Sequence, residues 1–255
     1  MPPPDPAMEA FPLVPVAFSG APRTVSPDAP FNWLGQGWAV FIANPGVWLA
    51  ISVLLLVAFF GLLIVPGIGS LAAALLTPVL LAGLLHGVRR LGDEGRLDLA
   101  DLFAGFRHNS GPLVMLGLLF MAGWMIVLLV VMVVAGGGIA GGVVVGLAGQ
   151  PGMGAGIGIA GFFLAFVLKL LLGIPLCVAL WFAPALIYFN DMAPLAALQA
   201  SFSASLKNWL AMLVFGLLVA VLAFFALLPM GLGFLVLIPV LSGALYASYK
   251  DIFLG

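Results

Sequence analysis

From Ser110 to Asn190 the chain carries a single charged side chain, Lys169. A stretch of that length cannot surround itself with water. In hydrocarbon its backbone N–H and C=O groups have only one another as partners, and a helix satisfies them all locally. The rest of the chain has the same character: 64% of residues are hydrophobic and 7% charged, against about 25% charged in a soluble domain. The expected fold is all-α, a polytopic helical membrane protein.

Runs of about twenty apolar residues mark spanning helices. Six are expected, near 46–65, 69–90, 112–134, 167–189, 209–228 and 232–250. The first two are joined by VPGIG (65–69) and the last two by LPMGLG (228–233), uncharged turns suited to tight helical hairpins. Residues 135–161, AGGGIAGGVVVGLAGQPGMGAGIGIAG, leave three courses open. They can prolong helices beyond the bilayer, re-enter it, or add a hairpin and bring the count to eight.

Residues 1–30 hold nine of the nineteen prolines. They lack the basic start and unbroken apolar core of a secretion signal, so a disordered, polyproline-rich cytoplasmic tail is expected there. Residues 31–255 then form one transmembrane domain. Arg23, Arg89, Arg90, Arg96, Arg107, Lys207 and Lys250 all fall on the side expected to hold both ends of the chain, as do all nine acids. Positive residues favour the cytoplasmic side, so both termini are expected there. The net charge of −1 offers nucleic acid no general attraction.

The chain also repeats itself. Trp38, Phe103 and Phe202 each stand six residues before an asparagine, namely Asn44, Asn109 and Asn208. Upstream of two of these, apolar residues recur at helical spacing, as in Leu195, Leu198, Phe202 and Leu206, or Leu99, Leu102, Phe103 and Phe106. Such segments are expected to lie in the membrane interface, with each asparagine capping the next helix. Trp48, Pro66, Pro78 and Gly83 recur as Trp209, Pro229, Pro239 and Gly243 at separations of 160 to 163 residues. The units read roughly as 32–97, 98–190 and 191–253, each an interfacial helix followed by a transmembrane hairpin. Related hairpins share one orientation, a parallel repeat.

The segments GLGFLVLIPVLSGALYASYKDIF (231–253), WFAPALIYFND (181–191) and GWAVFIANPGVW (37–48) resemble a family of uncharacterised six-span proteobacterial inner-membrane proteins, over roughly 33–255. In repeat style alone the chain is also similar to the membrane domain of some glycerophosphoryl diester phosphodiesterases. That resemblance implies no catalytic residue, because the phosphodiesterase chemistry belongs to a soluble domain of a different kind.

Lys169 lies in an apolar run, and an ionisable residue at bilayer depth marks a functional candidate. Counting back from Asn190 places it near the far interface, where snorkelling is the favoured reading over a pathway role. His86, Arg89 and Arg90, at one helix end, are candidate contacts for a lipid phosphate or other anion, against plain positive-inside anchoring. The loop 89–109 holds four bases and four acids. In it Asp98 is expected to cap a helix with Asp101 in its first turn. Two distant histidines and one cysteine, Cys177, make a poor metal case, and Cys177 is expected to be an inert packed thiol. GIGIAG (156–161) matches a dinucleotide fingerprint in spelling but has no strand before it. Gly137, Gly141, Gly142, Gly146, Gly154 and Gly158 have the small-xxx-small spacing that lets helices approach, within the chain or between copies.

No catalytic constellation, cofactor site or metal site is expected. The expected role is that of a non-catalytic assembly, scaffold or lipid-organising component. Its partners would be membrane lipids and a second copy or another membrane protein, with no nucleic acid. A small transporter or channel for a neutral or amphiphilic solute is the alternative.

Overall fold

A computed structural model describes residues 22–65 and 67–254. Most of the expected tail and Pro66, the expected counterpart of Pro229, lie outside the described residues. The described residues are mostly helical. In order come α1 (Ala29–Ala43), α2 (Pro45–Leu63), α3 (Ile68–Glu94), a 3₁₀ turn (Leu99–Phe103) running into the single-turn α4 (Ala104–Arg107), α5 (Ser110–Leu147), α6 (Pro151–Trp181), α7 (Ala183–Asn190), α8 (Pro194–Lys207), α9 (Trp209–Leu227) and α10 (Phe234–Phe253). Among the described residues six helices are long and apolar enough to cross a membrane. The protein is an all-α, multi-pass membrane protein.

Residues 135–161 prolong the middle hairpin. They form no re-entrant segment and no extra pair of spans, so the eight-span course drops out. Helix α5 has 38 residues, about 57 Å at 1.5 Å per residue, against about 30 Å of hydrocarbon. Only Ala148, Gly149 and Gln150 separate it from α6, with Gly149 at φ +87° supplying the left-handed turn. The two helices touch through bare backbone. A Cβ on Gly138 would lie 2.6 Å from the Gly161 Cα, and one on Gly142 would lie 2.5 Å from the Gly154 carbonyl. Gly146 and Gly158 complete this seam, and Gly141 meets only the Ile157 side chain. Gly137 faces open space, so it is no packing residue here; the periodicity placed the seam one residue off at that end.

The three repeat units close into a ring. Helix α1 of the first unit packs on α10 of the third. The 3₁₀ turn and α4 of the second unit pack on α3 of the first, and α8 of the third packs on α6 and α7 of the second. Each short helix thus leans on the second long helix of the unit before it. Two of these contacts are made by glycine. A Cβ on Gly243 would stand 2.7 Å from the Gly37 Cα, and one on Gly83 would stand 1.9 Å from the Leu102 carbonyl. The third contact uses a hydroxyl. Phe182 N–H donates to Ser201 Oγ at 3.0 Å, and Ser201 donates on to the Val178 carbonyl at 3.1 Å. The hydroxyl sits inside what would be the 182→178 helical bond, and there α6 gives way to α7. A side chain inserted into the ladder is a recognised cause of such a break.

The core lies where these helices converge. Trp33, Leu85, Leu186, Phe182, Phe215, Tyr249 and Phe253 are buried in it, with Phe215 edge-on to both Trp33 and Trp181 at 5.6 Å. The apolar window of α10 is 61% buried and that of α5 only 6%. Helix α5 therefore turns most of its surface to lipid, packing on its hairpin partner α6 and, near its start, on α3 through Leu113, Leu116 and Gly117.

The three junction asparagines do three different things. Asn44 caps α2 through the Val47 N–H at 3.4 Å, as expected. Asn109 takes a left-handed backbone, φ 57°; its amide donates to the Ile187 carbonyl at 2.9 Å and to Asp191 Oδ1 at 2.6 Å. Asn208 is buried and grips the start of the chain. Its Oδ1 accepts from Val25 N–H at 2.8 Å, and its Nδ2 donates to the Arg23 carbonyl at 2.8 Å. Arg23 N–H also donates to the Ile252 carbonyl at 2.8 Å. Residues 22–28 are thus strapped to the domain and α1 starts at Ala29, so the folded part begins before residue 31.

Candidate functional site

The basic end of the ring holds an open cleft of about 370 Å³ lined by His86, Arg89, Arg90, His108, Tyr188 and Phe189, with Asp93 and Glu94 at its edge. Helix α3 delivers the first three residues within its last three turns. Helix α7 delivers the two aromatics, and His108 follows α4 directly. The geometry thus brings His86, Arg89 and Arg90 together and adds His108 from the second unit.

Arg90 and Arg89, neighbours in sequence, have different duties. Arg90 Nη1 donates to Asp101 Oδ1 at 2.8 Å and to Asp98 Oδ2 at 2.9 Å, and its Nε donates to Glu94 at 3.2 Å. Asp101 is buried at 5% exposure, and its other oxygen accepts from the Asp98 N–H at 2.8 Å. Through Nη1 and Nε, Arg90 holds the 3₁₀ turn against α3 as a structural clasp. Arg89 is different. Its guanidinium lies 5.4 Å above the Phe189 ring, and its pairing with Asp93 at 3.4 Å joins two side chains more than half exposed. A pair of that kind is weak and exchangeable.

His86 Nδ1 lies 3.1 Å from the Tyr188 hydroxyl, and its Nε2 lies 3.8 Å from Asp101. The Tyr188 ring meets both imidazoles edge to face, at 5.8 Å for His86 and 5.3 Å for His108. His108 in turn stands 3.5 Å from Asp191, whose own backbone is left-handed at φ 52°. The second unit is thereby tied where it starts and where it ends. Among the described residues no three His, Cys, Asp or Glu side chains gather as a metal site would require.

Beside the cleft, four side chains from three helices form a row. From Arg89 on Phe189, the row continues to Tyr246, 5.7 Å from Phe189, and to Lys250, 5.2 Å above the Tyr246 ring. Cation–ring contacts of this sort hold a charge in place while leaving its outer side free. Tyr188, Phe189 and Tyr246 are the residues that sequence reasoning missed. Their one signal is that each is an aromatic in the last turns of an apolar helix, the usual interfacial position.

Lys169 lies elsewhere. It is exposed on α6, 21 residues before Asn190 or about 31 Å of helix, and it shares no wall with the cleft. Cys177 is exposed, against the expectation of a packed thiol, because it lines an open cavity where α3, α6 and α10 part.

The chain is 28% identical, over 88% of its length and 82% of the relative's, to a probable inner membrane protein of Burkholderia thailandensis. No protein-family model matches the chain. No solved structure matches it.

Proposed function

We propose that the protein is a non-catalytic inner-membrane component that organises lipid, and through lipid its assembly partners, at its basic face. That face and both ends of the chain lie in the cytoplasm on this reading, because the basic side chains gather there. The observation that carries the proposal is the set of short helical segments that open the three units. Each presents large apolar side chains outward: Phe31, Trp38 and Ile42 on α1, Phe103 and Phe106 beside α4, Leu195 and Leu206 on α8. Amphipathic helices that lie in the interface bury such faces among headgroups and acyl chains. Such faces beside the exposed arginines Arg89, Arg96 and Arg107 make a surface suited to gathering phosphate-bearing lipid. The resemblance to the phosphodiesterase membrane domain adds no chemistry to this reading.

The test is extraction of the full chain into a mild maltoside detergent, followed by native mass spectrometry and lipid analysis. Retention of phospholipid or of a stable partner is expected; a lipid-free, partner-free monomer would overturn the proposal. A second reading, a small transporter or channel for a neutral or amphiphilic solute, draws on Pro78, Pro175 and Pro239 inside α3, α6 and α10. It requires solute flux in proteoliposomes that Lys169→Ala alters.

A further inference from the structure

The second long helix of every unit carries a proline in its interior: Pro78 in α3, Pro175 in α6 and Pro239 in α10. An interior proline removes a backbone bond and bends the helix. Just beyond these three bends, on the side toward the basic face, the helices part around an open cavity of about 310 Å³. Its wall includes Leu81 and Leu84 of α3, Cys177 and Trp181 of α6, and Ser242 and Leu245 of α10. Leu84, Trp181 and Leu245 each stand six residues after their proline, so the cavity obeys the threefold repeat.

The wall specifies its occupant. Its one hydroxyl, that of Ser242, already donates to the Ile238 carbonyl at 2.8 Å, the unpaired Trp181 Nε1 is itself buried, and the rest of the wall is apolar apart from the Cys177 thiol. A hydrocarbon chain needs no polar partner, and the volume lies in the range of small-molecule pockets. The cavity also leads to charge. Leu245 is followed by Tyr246, the third member of the row Arg89–Phe189–Tyr246–Lys250. Leu84 lies five residues before Arg89 on α3, about 8 Å of helix. Among the described residues Lys250 has no carboxylate partner within ion-pair distance, and Arg89 has only the exposed Asp93.

We infer that the three proline-bent helices form a binding site for one phospholipid, with an acyl chain in the cavity beside Cys177 and the phosphate on Arg89 and Lys250. The inference rests on the lipid-organising reading and deepens it: the surrounding helices collect lipid, and this site selects it.

Cys177 is the only cysteine, so the full, unmodified chain reports on its own cavity. The protein is delipidated in dodecyl maltoside, and alkylation of Cys177 by N-ethylmaleimide is followed by intact mass as dioleoyl phosphatidylglycerol is titrated in. The lipid is expected to slow alkylation at least fivefold. Dioleoylglycerol, which lacks the phosphate, should need about tenfold more to match it, and inorganic phosphate should have no effect. Arg89→Ala with Lys250→Ala should abolish the difference between the two lipids while the chain still elutes as a folded species. Leu84→Trp, which fills the cavity, should displace the lipid from native mass spectra. Unchanged alkylation, or equal protection by both lipids in the wild type, would overturn the site. If phospholipid is retained while Cys177 stays unprotected, this site falls and the lipid-organising proposal stands. If neither lipid nor a stable partner is retained, the proposal beneath it falls too.

Discussion

Ser201 donates to one turn of a helix and accepts from the next, although it belongs to neither α6 nor α7. Removing its hydroxyl leaves the Phe182 N–H and Val178 carbonyl facing each other across a gap too wide to close without straightening the break. Ser201→Ala is expected to cost about 1–3 kcal/mol, the usual cost of orphaning a buried polar group, measured by denaturant unfolding in detergent micelles. Asn208 offers a second test at this scale. It fastens residues 22–28 through bonds to Val25 and Arg23, each worth about 1 kcal/mol net. Asn208→Ala should therefore speed amide exchange of Val25 by tenfold or more while leaving exchange in α10 unaltered. A contrast between neighbours completes the set. Arg90→Ala strips buried Asp101 of its cation and should lower the thermal midpoint clearly. Arg89→Ala disturbs only an exposed pair and a ring contact, and should leave the midpoint near the wild-type value.

At the scale of elements, the pairing of α5 with α6 depends on glycines, which meet backbone to backbone near the turn and receive Leu176 and Trp124 nearer the core. Lipid tails are as apolar as the side chains, so association in a membrane comes from close packing rather than from escape from water. Gly142→Leu places a side chain where the Gly154 carbonyl already stands, and such overpacking costs about 1–3 kcal/mol. Gly137→Leu meets open space and should be neutral. Comparing the two by thermal unfolding separates the seam from mere glycine content. The same logic explains why spacing alone misjudged this hairpin. Small-xxx-small patterns overlap in 136–161, and only the rotation of each helix decides that Gly138 and Gly161 meet while Gly137 points away. The hairpin turns were legible because a Pro/Gly cluster without charge has few other uses. The break after Trp181 was not, because the hydroxyl that makes it comes from α8.

At the scale of the molecule, the ring joins units far apart in sequence, and α1 closes it by packing on α10. The middle hairpin, about 57 Å long, outreaches the hydrocarbon, so its tip at Gly149 should emerge on the side opposite the basic face. This is checked with single cysteines introduced in a Cys177→Ala background. Gly149→Cys should react with an impermeant maleimide on intact cells, and Arg96→Cys only after permeabilisation. The reverse pattern would invert the proposed orientation. The site belongs to this scale as well. His86, Arg89 and Arg90 were visible as a cluster at the end of a helix, but Phe189 and Tyr246 join them only because α3, α7 and α10 converge.

The sequence by itself determined the solvent. Apolar runs of bilayer length, with charge confined to their ends, permit helices in lipid and little else, and the threefold repeat shows in the six-residue spacing of an aromatic and an asparagine at each unit's start. Hydropathy and periodicity are properties of a single segment, so they survive without any knowledge of neighbours. Tertiary structure alone decided which arginine is engaged and which is open, what each asparagine holds, and where the three bent helices part. Those outcomes depend on how helices are rotated and which unit each one leans on, and no local pattern encodes them.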